Sequence, residues 1–590
     1  MGKIINKYFL ITTADESTWN KGESIVFLGE WCRKYSRRKF WENLDAKLLE
    51  YHWDNHDKYY RDYLNLNDLY EKKLIHLSHC LGQMHGVTQD IRYWRIIIGP
   101  WLRFFIDVLF DRFESIRSAQ KSVEIAGTWV CSYDLYEWIP SDFQDFYTQY
   151  TDDPWNHIVY AECIRLIGIP FTQHHDLSLE IKGTNTSPRV VRRSVQFLLE
   201  LYARLLPSCF NQTAIISAYM PIKQLCKLQQ ALGQLPYIKP PSITVISNDT
   251  DYHQRELLAQ SEAESPFEKL LNKLITKWIP KAYIENFFDL QKSVLAKYPK
   301  KPKVIYTANA YQADDSFKIW AAHHAMNGIP LVIGQHGGNM GIARFNQTED
   351  HQVRIADFFT SWGWKKEGYN NVLPMPALKL TEAIPLSDSR GDVLVTIASY
   401  PRYFYCHYSV PVAGQYLNYL EDQLKFVRSI DSELQTFLKL RIDHDKYGWD
   451  IVERFTHAGV GWAIDREQVS FTKKLNGCRI SVSTYNATTF LETLAANFPT
   501  IVFFDPKIFE VRSEAEAMIN RLREVGILHS TPESAAKLLN SIGNNVDQWW
   551  NDSSLQAVRK DFCHQYASVS TDWLNVWRSL FNSLSKKSHY

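Results

Sequence analysis

Net charge is nearly absent: 66 Lys and Arg oppose 65 Asp and Glu over 590 residues, a formal +1. Nucleic-acid binding through bulk electrostatics needs a basic excess, so that class is excluded and only a local basic patch stays open. Glycine and proline are scarce, at 25 and 23, each about 4% against a usual ~7% and ~5%. Disorder, collagen-like repeats and long flexible linkers are excluded with them. The nine cysteines (Cys32, Cys80, Cys131, Cys163, Cys209, Cys226, Cys406, Cys478, Cys563) are scattered, odd in number and form no CxxC. That usage fits reduced cytosolic thiols, not a disulfide framework or a zinc site. No apolar run reaches the ~20 residues of a membrane span. The best one, Trp94 to Phe110, is interrupted by Pro100, Arg103 and Asp107. The N-terminal MGKIINKYFLITTADESTW has a short apolar run and no small-residue cleavage site, so it is read as a first strand and the protein as cytoplasmic. HExxH, GxSxG, Walker A and 20–50-residue repeats are also missing.

Aromatic residues are plentiful: 19 Trp, 32 Tyr and 31 Phe, 14% of the chain. Within a hydrophobic fraction of 45% they supply a sizeable core and flat stacking surfaces. Lys7 to Thr12 and Ser24 to Leu28 read as strands. From about Asp57 to Ser118 the apolar residues recur at helical spacing, giving an amphipathic layer on a sheet. The cluster Arg33, Lys34, Arg37 and Arg38 precedes it, either a solvated face or an anion or membrane-surface contact. Strands are expected at Ala214–Ala218, Ile243–Ser247, Lys303–Thr307 and Pro330–Ile333, with a helix at Asp315–Met326. Lys379 to Gly391 loses periodicity and reads as an interdomain linker. Beyond it the expected strands are Val393–Ile397, Phe437–Ile442, Arg479–Ser483 and Thr500–Phe504, the helices Gly414–Ile430 and Thr488–Ala496. From Val546 aromatic helices follow. Strand–helix alternation implies an α/β fold with parallel sheets. The expected division is an N-terminal Rossmann-like domain over 1–385 with a helical insertion at 44–120, a second over 386–545, and helices over 546–590. Ligands then belong beyond the carboxyl ends of the strands.

Two strand ends carry the chemistry. After "PLVIG" comes Gln335-His336-Gly337-Gly338-Asn339-Met340-Gly341, with four glycines in eight residues of a glycine-poor chain. Backbone without Cβ can approach a ligand and offer N–H groups to anionic oxygen, and His336 titrates near neutrality. The bland alternative is a tight turn with a structural His. The preceding strand ends in Thr307-Ala308-Asn309-Ala310-Tyr311, leading to Asp314 and Asp315. Asn309, Tyr311 and a carboxylate are therefore placed near the same ligand, although both acids also suit a helix N-terminus. At the second strand end, Ser483, Thr484, Asn486 and Thr488 lead into a helix carrying Glu492. Free N–H groups there with the hydroxyls form a phosphate cradle, and Glu492 is set to accept ribose hydroxyls. Plain N-capping is the alternative. Arg441 and His444 end a neighbouring strand, where Arg441 can neutralise phosphate. Asp443-His444-Asp445 also has the form of a metal-binding DxD.

The stretches "FLGEWCRKYSR", "YHWDNHDKYYRDYLNLNDLYE", "RYWRIIIGPWL" and "YTANAYQADDSFKIWAA" running into "IPLVIGQHGGNMG" resemble a family of bacterial transferases from O-antigen and surface-carbohydrate gene clusters. The likeness runs over most of the chain and implies a GT-B glycosyltransferase, with the nucleotide held mainly by the C-terminal domain. The Gln-His-Gly and Ser-Thr loops are locally similar to those of enzymes using CMP-activated acidic sugars, including Kdo transferases. What this implies is a metal-independent, cofactor-free enzyme of surface-polysaccharide assembly. Its partners are a nucleotide-sugar donor and a glycan or lipid-linked glycan acceptor, with peripheral membrane contact and no nucleic acid. His336 and Asp315 are the expected catalytic residues. Asn309, Tyr311, Gln335, Gly337, Gly338 and Asn339 are expected around the sugar, and Arg441, His444, Ser483, Thr484, Asn486, Thr488 and Glu492 around the nucleotide. A CDP-polyol phosphotransferase and a non-enzymatic carbohydrate-binding assembly protein are the rival readings.

Overall fold

The computed structural model describes residues 7–587 except 179–199, 204, 239, 242, 244–247, 260–261, 382–383, 468 and 544. Most of the expected strand Ile243–Ser247 lies outside the described residues. The chain opens with a parallel sheet of β1 (Lys7–Ile11), β2 (Ile25–Phe27), β3 (Ala46–Leu48) and β4 (Glu124–Gly127), ordered β3-β2-β1-β4. Between β3 and β4 run two long helices, α1 (His56–His85) and α2 (Ile91–Ser122). Asn55 caps α1 on Lys58 N and Asp90 caps α2 on Arg92 N and Tyr93 N, each supplying an acceptor to orphan N–H groups. α2 is buried on nearly every side, and its Arg103 and Asp107 pair with each other at 2.8 Å. The run Trp94–Phe110 is thus core, and no helix among the described residues is long and apolar enough to cross a membrane.

A strand pair, β5 (Trp129–Ser132) and β6 (Thr172–Ser178), leads to a second parallel sheet. It comprises β7 (Thr213–Ile215), β8 (Val304–Thr307), β9 (Leu331–Gly334), β10 (Phe358–Ser361) and β11 (Val372–Pro374), in the order β11-β10-β9-β8-β7. α3 (Asp315–Met326) and α4 (Gln347–Ile355) belong to it. The third sheet, β13-β12-β14-β15-β16, is built from β12 (Asp392–Ile397), β13 (Leu438–Ile442), β14 (Cys478–Ser483), β15 (Thr500–Phe503) and β16 (Leu528–His529). All six residues of β14 are buried, as a strand covered on both faces must be. α5 (Thr488–Ala495) follows it. α6 (Trp573–Lys587) then returns to the second sheet, with Trp577 and Phe581 5.4 and 5.7 Å from the Tyr306 ring and Trp577 Nε1 donating to Pro376 O at 2.9 Å.

The fold is α/β with two Rossmann-like units, the second and third sheets, in a GT-B-like arrangement. Among the described residues, the region expected to hold one N-terminal sheet holds two larger sheets and the β5–β6 pair. The first has its own crossover helices and is held to the third unit by charge, since Arg402 meets Asp153 at 2.9 Å and Arg38 meets Glu453 at 2.8 Å. The basic cluster is spent in such pairs: Arg33 on Glu30, Lys34 on Asp153, Arg37 on Glu16 and Arg38 on Glu453. A free anion-binding or membrane-facing patch is therefore not what these four residues make.

Candidate active site

The two singled-out loops leave different sheets and meet. A Cβ on Gly338 would fall 2.2 Å from the Ala487 carbonyl carbon and 2.5 Å from Thr488 N. Glycine is required at 338 because the start of α5 already fills the space a side chain would take. Gly337 faces Thr488 Oγ1. Behind this contact the glycine loop is anchored by its own residues. Gln335 Oε1 accepts from Trp362 N and Trp364 Nε1, both at 2.8 Å, and its Nε2 donates to Gly337 O at 2.7 Å. Gln335 is therefore a loop anchor, with its amide fully engaged inside the chain. Asn339 Oδ1 accepts from Asn346 Nδ2 at 2.8 Å. Gly341 has φ +78° and lies against the Trp364 ring, and its N–H donates to buried Glu349 at 2.8 Å.

On the facing side, Ser483 and Thr484 are fully buried. Thr484 Oγ1 donates to Thr396 O at 2.9 Å and shares a 2.6 Å bond with Tyr419 Oη, while Ser483 Oγ reaches Tyr485 O and Thr489 Oγ1 at 3.4 Å. Both hydroxyls brace the turn. Asn486 differs: it is 1% exposed, and neither amide atom has a hydrogen-bond partner. α5 begins at Thr488 with Ala487 as N-cap and no side-chain cap, so the plain-capping alternative fails. The uncapped N-terminus of α5 and the unpaired Asn486 amide leave hydrogen-bond donors there without partners in the chain.

His336 is half-buried, and its Nδ1 is buried without a partner. Burial lowers its pKa to about 4 against a weaker opposing pull from the Ala308 backbone, so the ring is neutral at pH 7. Tyr311 packs 6.3 Å from it and Tyr219 meets it edge-on at 6.0 Å. Tyr219 and its neighbour Ser217 have φ of +51° and +50°, a sparsely populated conformation for such residues. Lys379 Nζ lies 5.3 Å from the Tyr219 ring and 3.4 Å from Glu492 Oε1. Tyr219 and Lys379 are thus site residues that sequence reasoning misses, the first because the strand was extended through Ala218, the second because it lies in the segment read as linker. Glu492 is in place, but as the partner of Lys379.

Several expected roles change. Asp315 accepts from Phe143 N at 2.7 Å and Tyr283 Oη at 2.8 Å and pairs with buried Lys318 at 2.6 Å. With these donors it is engaged as a counter-ion at the wall of the cavity that Asn309 lines. Asn309 is exposed and lines a cavity of about 600 Å³ with Ser217, Asp142 and Asp314. Arg441 shares a register row with Thr396 and Ser483, about 10 Å from Ser483 at two strand spacings. Its guanidinium donates to Val469 O at 2.7 Å. His444 packs on Tyr447 at 4.5 Å. Asp445 receives Ile451 N and Val452 N at 2.9 and 3.2 Å, which takes it out of a DxD metal pair. Among the described residues no group of three or more His, Cys, Asp or Glu is set to hold a metal ion.

Comparison with known proteins adds the following. No curated protein matches the chain. Among solved structures, Acinetobacter baumannii MurG is 13% identical with a TM-score of 0.30, over 50% of this chain and 79% of its own. The S. aureus MnaA–UDP co-structure is 12% identical at 0.33, over 60% and 97%. WaaG, a glycosyltransferase involved in lipopolysaccharide biosynthesis, is 9% identical at 0.24, over 51% and 95%. All three overlays are too loose to assign a donor or an acceptor. The model of the LIC12162 family transferases, by contrast, matches residues 8–581, a span that includes all three sheets and both loops. The chain belongs to the LIC12162 transferase family.

Proposed function

We propose that the chain is a glycosyltransferase that takes a sugar from a nucleotide donor bound between the glycine loop and the start of α5. The observation that carries this reading is Asn486, a buried amide with both ends unpaired beside an uncapped helix N-terminus. The donor phosphate lies on the N–H groups of α5, with Asn486 completing its hydrogen bonds and Ser483 and Thr484 holding the turn. Lys379, whose Nζ lies 3.4 Å from Glu492 Oε1 on α5, takes the neutralising role first given to Arg441. In the transfer the acceptor hydroxyl gives its proton to solvent, its oxygen bonds the anomeric carbon, and the bond from that carbon to the phosphate oxygen breaks. The electron pair leaves on the phosphate. A neutral His336 serves by donating one hydrogen bond to that departing oxygen. Membership of a transferase family supports the class. The local likeness to enzymes of CMP-activated acidic sugars makes such a donor, and surface polysaccharide as acceptor, the finer reading.

The test is a thermal-shift series with CMP, CDP, UDP, GDP and ADP on the full chain. One nucleotide at 100 times its Kd should stabilise the fold by about 2.7 kcal/mol, and Asn486→Leu should abolish that shift. No shift with any of the five would remove the nucleotide site.

A further inference from the structure

The face of α5 continues past its first turn into a second space. Thr488, Glu492 and Ala495 follow one another at four and three residues, the spacing that sets side chains on one side of a helix. At ~1.5 Å per residue, Glu492 and Ala495 stand about 6 and about 10.5 Å along the axis from Thr488. Glu492, Ala495 and the adjoining Ala496 line a cavity of about 260 Å³. Leu380, from the turn after β11, and Val569, from the segment before α6, help to close it. Its walls are thus largely apolar, and the polar side chains on them are Thr472, Lys379 and Glu492. Lys379 joins this cavity to the candidate active site. Its Nζ lies 3.4 Å from Glu492 Oε1 and 5.3 Å from the Tyr219 ring, which meets His336 at 6.0 Å.

We infer that this cavity takes the nucleoside of the donor and that its base is a pyrimidine. The inference rests on the nucleotide reading, which places phosphate at the start of α5, and follows the ligand along the helix from there. A ribose lies one turn on, where the Glu492 carboxylate accepts from its hydroxyls. The base lies a further turn on, with its flat faces against Leu380, Ala495, Ala496 and Val569. Size and chemistry choose the base. A volume of about 260 Å³ is below the roughly 300–1,000 Å³ that holds a whole drug-sized ligand, so the space suits one ring and not the two fused rings of a purine. Uracil and cytosine both carry a keto oxygen at C2, an acceptor for the Thr472 hydroxyl. Adenine has no keto oxygen.

Thermal-shift titrations of the full chain with CMP, UMP, AMP and GMP test it. CMP or UMP should bind at least tenfold more tightly than either purine nucleotide. Ala496→Leu and Val569→Phe, both at exposed positions, put extra carbon atoms into the cavity. Each should weaken pyrimidine binding at least tenfold with the Tm of the free chain unchanged. Inorganic pyrophosphate, which has no base, should bind the native chain and both variants alike. Purine nucleotides that bind as tightly as CMP and UMP, or pyrimidine binding that neither variant moves, would overturn the inference and leave the nucleotide site standing. Absence of a shift with all four nucleotides would overturn the nucleotide site and the base pocket together.

Discussion

Asn486 pits stability against function at the scale of one side chain. A buried polar group left unpaired costs about 1–3 kcal/mol, so Asn486→Leu should melt at the same temperature as the native chain or higher while losing nucleotide binding. A large fall in Tm would mean the amide is satisfied within the fold. Asp315 predicts the reverse. Asp315→Asn leaves Lys318 charged and buried, and breaking such a pair costs about 3–5 kcal/mol. A drop of that size in denaturant unfolding is expected, and a stable but inactive variant would restore its catalytic candidacy. The two loops were legible in sequence because glycines and hydroxyls stand out against a glycine-poor background. The partners of Asp315, namely Phe143, Tyr283 and Lys318, were not legible because tertiary structure assembles them and leaves no local pattern.

Among the elements, the contact between the glycine loop and α5 makes the sharpest demand. Gly338→Ala puts a methyl group onto Ala487 and Thr488, and neither neighbour is a side chain that can swing away. The loop and helix must part, so the variant should lose most of its nucleotide-induced thermal shift, with a smaller change in Tm without ligand. An unaltered shift would mean the two loops do not act together. Helix α3 falls where its periodicity put it, and β8, β9, β12, β14 and β15 lie within a residue or two of expectation. Two short strands at sheet edges, β3 and β16, were out of reach. β3 spans three exposed residues and β16 is only two residues long, too few to display a period of two.

Across the whole molecule, buried histidines tie stability to pH. Burial holds His157 and His336 at about 4 and His351 at about 3, all below the ordinary ~6.5. Between those values the unfolded chain binds more protons than the folded one, so stability is full above about pH 6.5 and is lost as pH falls toward 4. Asp142, raised to about 6 by burial and by Asp315, opposes this, as do Asp54, Asp314 and Asp422, which burial also raises, but His324, held at about 4, and His85, His323, His407 and His529, all lowered by burial, add to the imidazoles. Calorimetry should show Tm falling steadily from pH 7 to 4.5, and a flat profile would mean these rings are solvated. Two strands of the first sheet, β1 and β2, were read from the sequence, but their standing as a separate sheet was not legible, because β3 is short and exposed and the two long helices before β4 look locally like an insertion into one larger domain.

The return of α6 to β8 has a topological consequence. The second unit is closed by a segment that follows the third, so the lobes are interlocked along the chain and no single cut divides them. A protease nick between Ile384 and Arg390 should yield two polypeptides that still co-elute as one particle, because the later fragment keeps Trp577 and Phe581 against Tyr306 of the earlier one. Separately expressed halves would each lack part of a core, which makes this enzyme a poor subject for domain dissection and a good one for fragment complementation.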